Sequence, residues 1–373
     1  PDGIPALDPK GSAPGYGSPV HVFYPRMVAL QAEYARKLIS SLKLDNDPVL
    51  AQVEIINESS LAAGWLHWDK TYWDKQISGA YAEELDSQWQ NWIKQTHGDM
   101  ASACKTWGTC ATETGRMLTP SQADALQHAI SADWWVRLRQ KLRHWWASIR
   151  TALGLPLNGL PLSDSAHPKV LDTVKFVAET DRKFVEHMRE VVRAATRPTL
   201  PVTGTQVDFG APLNFHSHEK MDYVDAHFYV DHPVFPGIPW SATDWHINNE
   251  TVSGREISQL LSLAAFRDHT KPFVISEFNQ PYPNTHGHDI LPVTAAFAAQ
   301  QDWDGLYFFD YGGTTEEPNT PGYFFLQGDW GKASVIGMAA RMFRKGSIPP
   351  LSTGYMIREP SMNWWRSAWK SKN

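Results

Sequence analysis

Gln52-Val53-Glu54-Ile55-Ile56-Asn57-Glu58 is a β-rich run that ends on an Asn-Glu pair. A second such run, Phe273-Val274-Ile275-Ser276-Glu277, answers it far downstream. Short apolar runs rich in β-branched residues read as strands covered on both faces, the kind that build parallel sheets. Both runs close on a carboxylate. In a parallel α/β barrel, a residue at the C-terminal end of a strand projects into the mouth, where barrel chemistry is done. The two stretches together therefore predict an α/β fold with two carboxylates facing one mouth.

Upstream of the first run, Pro25 opens a predicted helix with Met27, Leu30, Tyr34, Leu38 and Leu42 on one apolar stripe. An Asp-Asn-Asp-Pro turn at Asp45 to Pro48 ends it and leads into the strand of Glu58. Helix, turn and buried strand is the rhythm of a parallel α/β fold. After Glu58 that rhythm stops for about 140 residues. Leu85, Trp89, Trp92 and Ile93 form a helical stripe, and a second helical region runs from Pro120 through the Trp134-Trp135 and Trp145-Trp146 pairs. Arg137, Arg139, Lys141, Arg143 and Arg150 alternate with its aromatics, a mix that suits a membrane-surface helix but reads better as an amphipathic helix packing its indoles on the domain. Residues 59–162 are thus expected to be a helical insertion within a single catalytic domain covering 1–373, of the kind that shapes a cleft.

The rhythm resumes at Ser163 with a long helix whose apolar face carries Leu171, Val174, Phe184, Val185, Met188 and Val192. Strands are predicted at Leu200 to Gln206, Tyr223 to Tyr229, Pro272 to Glu277 and Gly305 to Phe309. Helical patterns at Ile257 to Phe266, Val293 to Ala299 and Val335 to Phe343 complete the alternation.

Composition narrows the function classes. A net charge of −6 over 373 residues gives no basic surface for nucleic acid and no polybasic tract for anionic lipid. No apolar run reaches membrane-spanning length. No signal peptide is visible at Pro1-Asp2-Gly3, so any export signal has been removed or was never present; secretion or periplasmic residence is the favoured expectation. The 17 Trp suit either an indole-rich core or sugar recognition, since an indole face lies flat on the C–H face of a pyranose. Cys104 and Cys110 are the only cysteines and fit a local disulfide or two thiols equally. His216, His218 and His227, with His286 and His288 later, lack the spacing or carboxylate set of a metal site, and no metal or other cofactor is expected. A serine-hydrolase elbow and nucleotide-binding glycine loops are missing too.

The strand-terminal Asn57-Glu58 and Ser276-Glu277 together resemble clan A glycoside hydrolases, the (β/α)8-barrel superfamily of cellulases, mannanases and β-galactosidases. More narrowly, Pro201 to Gln206, Asp222 to Tyr229 and Gln301 to Leu306 resemble segments that recur in this order in bacterial members of that clan. The resemblance covers roughly residues 20–345. It implies a retaining mechanism, with Glu58 as acid/base at the end of the fourth strand and Glu277 as nucleophile at the end of the seventh. It implies further that Asn57 binds the sugar 2-hydroxyl. Tyr229, in the sixth-strand motif Asp225-Ala226-His227-Phe228-Tyr229, would contact the nucleophile, with His227 lining the same mouth. Asp310 and Tyr311 would lie near the sugar-binding floor, and Asp231, His232 and Asn279 are further candidates.

The chain departs from that pattern. If Glu58 ends strand four, three β/α units of on the order of 100 residues should precede it; only 57 residues do. The expectation is a (β/α)8 barrel that is incomplete, with strands four to eight recognisable and one to three missing. A longer protein, partner chains completing the barrel, or the helical insertion covering the sheet would each account for it. An open parallel edge favours association, so a homo-oligomer is expected, acting on an oligo- or polysaccharide. A β-glucan such as cellulose is the favoured substrate because many Trp suit a long cleft; a β-galactoside or mannan is the alternative. A truncated barrel that binds glycans without turning them over is the reading of another class.

Overall fold

The computed structural model describes residues 3–7, 12–15, 17–67, 70–108, 115–132, 167–210, 212–241, 243–254, 257–312 and 322–354. They fall into two compact units. The first runs to Leu200 and includes Phe209–Lys220; the second takes Pro201–Asp208 and the chain from Met221 on.

The first unit is helical and centred on the 28-residue helix Pro168–Ala195. Pro168 stands at its first turn, where a missing N–H costs nothing, and the His167 ring caps it by accepting from the Lys169 N–H at 3.1 Å. Val170, Val174, Val177, Phe184, Val185, Met188 and Val192 are all buried along it. It packs against Pro25–Ser41, Leu61–His67, Met100–Trp107 and Pro212–Ser217. The predicted stripe on Pro25–Ser41 is corrected: the buried residues are Met27, Ala32 and Ile39, while Tyr34, Leu38 and Leu42 are exposed. Several apolar stripes fit one helical period, and packing against the long helix selects the one through Ala32. Val20 to Tyr24, the one apolar run before Pro25, forms a helical turn, Val20–Phe23.

After the two-residue strand β1, Val53–Glu54, come the helices Leu61–His67, Lys70–Gln76, Gly79–His97, Met100–Trp107 and Pro120–Ala132. Trp89 stacks on Trp92 at 5.4 Å and on Trp107 at 6.1 Å, and meets Phe176 of the long helix edge-on at 5.3 Å. Their indole N–H groups are satisfied inside: Trp92 by Glu179 at 2.6 Å, Trp107 by Asp172 at 2.7 Å, Trp89 by the Gly115 carbonyl at 3.1 Å. These tryptophans, with Trp65 and Trp73, are core side chains. Cys104 is disulfide-bonded. Cys110, Trp134, Trp135, Trp145, Trp146 and the Arg137 to Arg150 stretch lie outside the described residues.

The second unit carries the parallel sheet. Strands β3 (Val224–Tyr229), β4 (Phe273–Asn279) and β5 (Gly305–Phe308) lie in that order, all parallel. Helices Ile257–Leu263 and Ile290–Gln300 make the crossovers, and Trp330–Arg344 follows the last strand and packs on Ile290–Gln300. Strand β2 is only Val202–Thr203; it is tied to the start of β3 by the Asp222 N–H on the Val202 carbonyl at 2.9 Å. Val224, Ala226 and Phe228 of β3 and Phe273, Ile275 and Phe278 of β4 are buried on the helix-covered face. Each large side chain there stabilises the unit by about 1.5–3 kcal/mol through burial. Five strands occur among the described residues, against the eight of a closed barrel: the parallel core is incomplete, flanked by helices, with a Trp-rich cluster after its first strand.

Candidate functional site

Alternation along β4 taken alone would place Glu277 with Phe273 and Ile275, on the helix-covered face. The register prevents this. Ala226 pairs with Ile275, but the next residue of β3, His227, pairs with Glu277, so Ser276 is an extra residue in β4. The same stretch is irregular against β5, where Ile275 pairs with Leu306 and Phe278 with Phe308. A one-residue bulge flips every side chain that follows to the other face. Glu277 and Asn279 therefore lie beside His227 and Tyr229, and Phe278 returns to the core beside Phe228.

On that face, the Tyr229 hydroxyl donates to Glu277 Oε2 at 2.7 Å, and His227 Nδ1 lies 3.6 Å from the same oxygen. The bulged Ser276 bridges the rest. Its N–H and hydroxyl both donate to Asp225, at 3.0 and 2.6 Å, and its Oγ lies 3.0 Å from His227 Nε2. A hydroxyl has one hydrogen, and the short contact to the carboxylate uses it. Ser276 Oγ thus accepts from His227 Nε2–H, which fixes that nitrogen as the protonated one and turns Nδ1 toward Glu277. Asp225 is fully buried and also accepts from the Gln206 amide at 3.2 Å. Asp225, His227 and Tyr229 alternate on one face of β3, a period-2 signal that marks Asp225 as a site-facing residue. Nothing in the sequence marks the bulge.

The other sequence-predicted residues of the second unit frame this face. Asn279 is buried and donates to the carbonyls of Phe309 and Phe324. Asp231, at a left-handed φ of 64°, accepts from the Asn248 amide at 3.2 Å and from the His232 N–H at 2.8 Å, holding the loop after β3. The His232 ring packs 5.2 Å from that of Tyr229. Asp310 Oδ1 is buried with no hydrogen-bond partner among the described residues, and burial pushes its carboxyl above the usual range. Tyr311 is 76% exposed. The fully buried Lys332, absent from the sequence reading, lies 3.0 Å from Asp329 and donates to the Gln280 carbonyl, pinning the helix Trp330–Arg344 to the end of β4. Burial pushes its pKa below the ordinary lysine value.

Glu58 and Asn57 belong to the first unit. Glu58 does not end a strand as expected: β1 stops at Glu54, residues 55–58 form a bend, and Glu58 sits at φ 46°. The helix Leu61–His67 begins directly after this bend. Asp181, on the long helix, accepts from the N–H groups of Leu61 at 2.7 Å and Ala62 at 2.8 Å, and Ser60 Oγ accepts from Ala63 N–H at 2.8 Å. Fixing that helix start fixes the bend carrying Glu58. Burial raises the Asp181 pKa to about 7 despite both donors. Leu61 and Asp181 are 120 positions apart, and no local pattern links them.

Two of the clustered histidines have structural partners. His218 Nδ1 lies 2.8 Å from the Asn214 carbonyl and 3.1 Å from Ser217 Oγ, and His288 lies 3.3 Å from Asp289.

Among solved structures, an exo-beta-agarase matches at 14% identity and a TM-score of 0.49, over 87% of this chain and 39% of that one. An agarase matches at 10% identity and 0.42, over 87% and 41%. The endo-beta-1,4-mannanase from Thermotoga petrophila matches at 14% and 0.34, over 46% and 41%. The chain spans about two fifths of the length of each of these structures. No protein-family model and no curated protein matches it.

Proposed function

We propose that the chain is a retaining hydrolase of a β-linked glycan, with Glu277 as nucleophile and Glu58 as acid/base. The observation that carries this reading is the bulge-directed placement of Glu277 beside the Tyr229 hydroxyl at 2.7 Å and His227 at 3.6 Å. One oxygen of Glu277 attacks the anomeric carbon while Tyr229 holds the other. The glycosidic oxygen leaves with the proton of Glu58, giving a glycosyl-enzyme ester. Glu58 then takes a proton from water, whose oxygen attacks the same carbon, releasing the sugar and restoring both carboxyl groups. Asn57 would hold the 2-hydroxyl.

Among the described residues most tryptophans are core side chains, which weakens the case for a long cellulose-type cleft, so β-galactosides and mannans stand beside β-glucans as substrates. The test is a screen of chromogenic β-glycosides and polysaccharides. Glu277→Gln should lower kcat on any substrate cleaved by about 10³-fold or more, with Glu58→Gln most damaging for substrates with poor leaving groups. Near-full hydrolysis by Glu277→Gln would overturn the assignment.

The incomplete parallel core favours a second reading, a glycan-binding protein with impaired turnover. Equilibrium binding of an oligosaccharide with no cleavage of any tested glycoside would select it.

A further inference from the structure

Beyond the Tyr229 ring, the second unit holds an aromatic group that the chemistry at Glu277 does not use. Trp245 meets Tyr323 edge-on at 4.7 Å, and Phe235 meets it at 5.6 Å. Trp240 lies 5.3 Å from Phe235 and 6.1 Å from Tyr323. Yet Trp240 is 67% exposed, and its φ is 61°. A bulky side chain in the left-handed region is strained and persists only where its surroundings impose it. Here the surroundings do. Pro236-Gly237-Ile238-Pro239 precedes it, Ser241 N–H closes a turn on the Ile238 carbonyl at 3.2 Å, and the Tyr323 hydroxyl donates to the Ser241 carbonyl at 2.5 Å. The loop thus holds an indole in water at a conformational cost.

This group is continuous with the nucleophile candidate. Tyr323 is followed by Phe324, whose ring meets Tyr229 at 5.2 Å, and Tyr229 donates to Glu277. The Tyr323-Phe324 pair is anchored by Tyr282 N–H on the Tyr323 carbonyl at 2.7 Å and Asp310 N–H on the Phe324 carbonyl at 3.2 Å. An exposed indole followed along its loop by the short polar residues Ser241 and Asp244 fits a ligand with apolar C–H faces and peripheral hydroxyls.

We propose that Trp240, supported by Phe235, Trp245 and Tyr323, is a stacking platform for a sugar unit of a bound β-glycan distant from the unit that reacts at Glu277. This rests on the reading of the protein as glycan-active and adds where a chain substrate is gripped. The test compares wild type, Trp240→Ala and Trp240→Phe on short β-linked gluco-, manno- and galacto-oligosaccharides and on aryl monoglycosides. Binding is measured in the Glu277→Gln background by calorimetry. Trp240→Ala should weaken oligosaccharide binding and raise KM roughly three- to tenfold, Trp240→Phe should restore most of it, and the aryl monoglycoside should be turned over as by wild type. Unchanged oligosaccharide binding by Trp240→Ala overturns the platform. So does a drop in solution mass of Trp240→Ala with glycan binding intact, which would assign the patch to a second copy of the chain. If no glycoside is cleaved by wild type, the hydrolase reading fails, while the calorimetry still decides the platform.

Discussion

At the scale of single residues, Ser276 and Tyr229 are the side chains whose removal should be most informative. Tyr229→Phe deletes one hydrogen bond to a carboxylate, worth about 1.5–3 kcal/mol, and should lower kcat/KM about 10- to 100-fold with the fold intact. Ser276→Ala removes the acceptor that fixes His227 Nε2–H. Nitrogen NMR of the imidazole should show one tautomer in wild type and a mixture in the variant, and kcat should fall with KM little changed. Ser276→Thr keeps the oxygen and should restore both readouts. Much of this face was legible. Asp225, His227 and Tyr229 stand two apart in one predicted strand, so naming one names the others' direction. Ser276 was legible only as the neighbour of Glu277, because a bulge depends on the pairing of two strands and leaves no mark in either alone.

At the scale of elements, the helix Pro168–Ala195 and the central strands agreed with their sequence patterns, whereas the buried stripe of Pro25–Ser41 and the short strands did not. β1 and β2 hold two residues each, although Gln52 to Glu58 and Leu200 to Gln206 both have strand composition. Strand composition reports a surface that suits a sheet, and pairing decides how much of it is used. The bend of Glu58 is held instead by Asp181 at the start of Leu61–His67, and this makes a stability prediction. The Asp181 pKa is about 7 in the fold against 3.8 for a free carboxyl. Its contribution is complete below pH about 4 and is lost as pH rises to about 7, because the unfolded chain releases the proton first. The slope attributable to it is at most about 1.4 kcal/mol per pH unit. Denaturant midpoints across that range should fall in wild type and flatten in Asp181→Asn. That variant should also be less stable at acid pH by about 1–3 kcal/mol, since its amide turns a donor toward one of the two N–H groups.

At the scale of the whole molecule, β5 is an edge of the parallel sheet among the described residues, with Tyr307 45% exposed on it. Unpaired parallel edges invite another chain. We therefore expect sedimentation to give a mass above the 42.1 kDa of one chain at micromolar concentration, with a charged substitution, Tyr307→Lys, shifting it toward the monomer. Among the described residues, the Trp that composition leaves ambiguous resolve by address: Trp89, Trp92 and Trp107 support the long helix, and Trp240 faces water. No count could have separated them, since burial is a property of neighbours far away in the chain. The bulge in β4 carries the same lesson into heredity. Deleting the single codon for Ser276 would let Glu277 follow Ile275 in plain alternation, still opposite His227, yet would remove the N–H and hydroxyl that tie Asp225 to His227. In this chain the support of the reactive face is stored in one residue more than the pairing needs, so a deletion there would strip that support while every side chain proposed to do chemistry remained in the sequence.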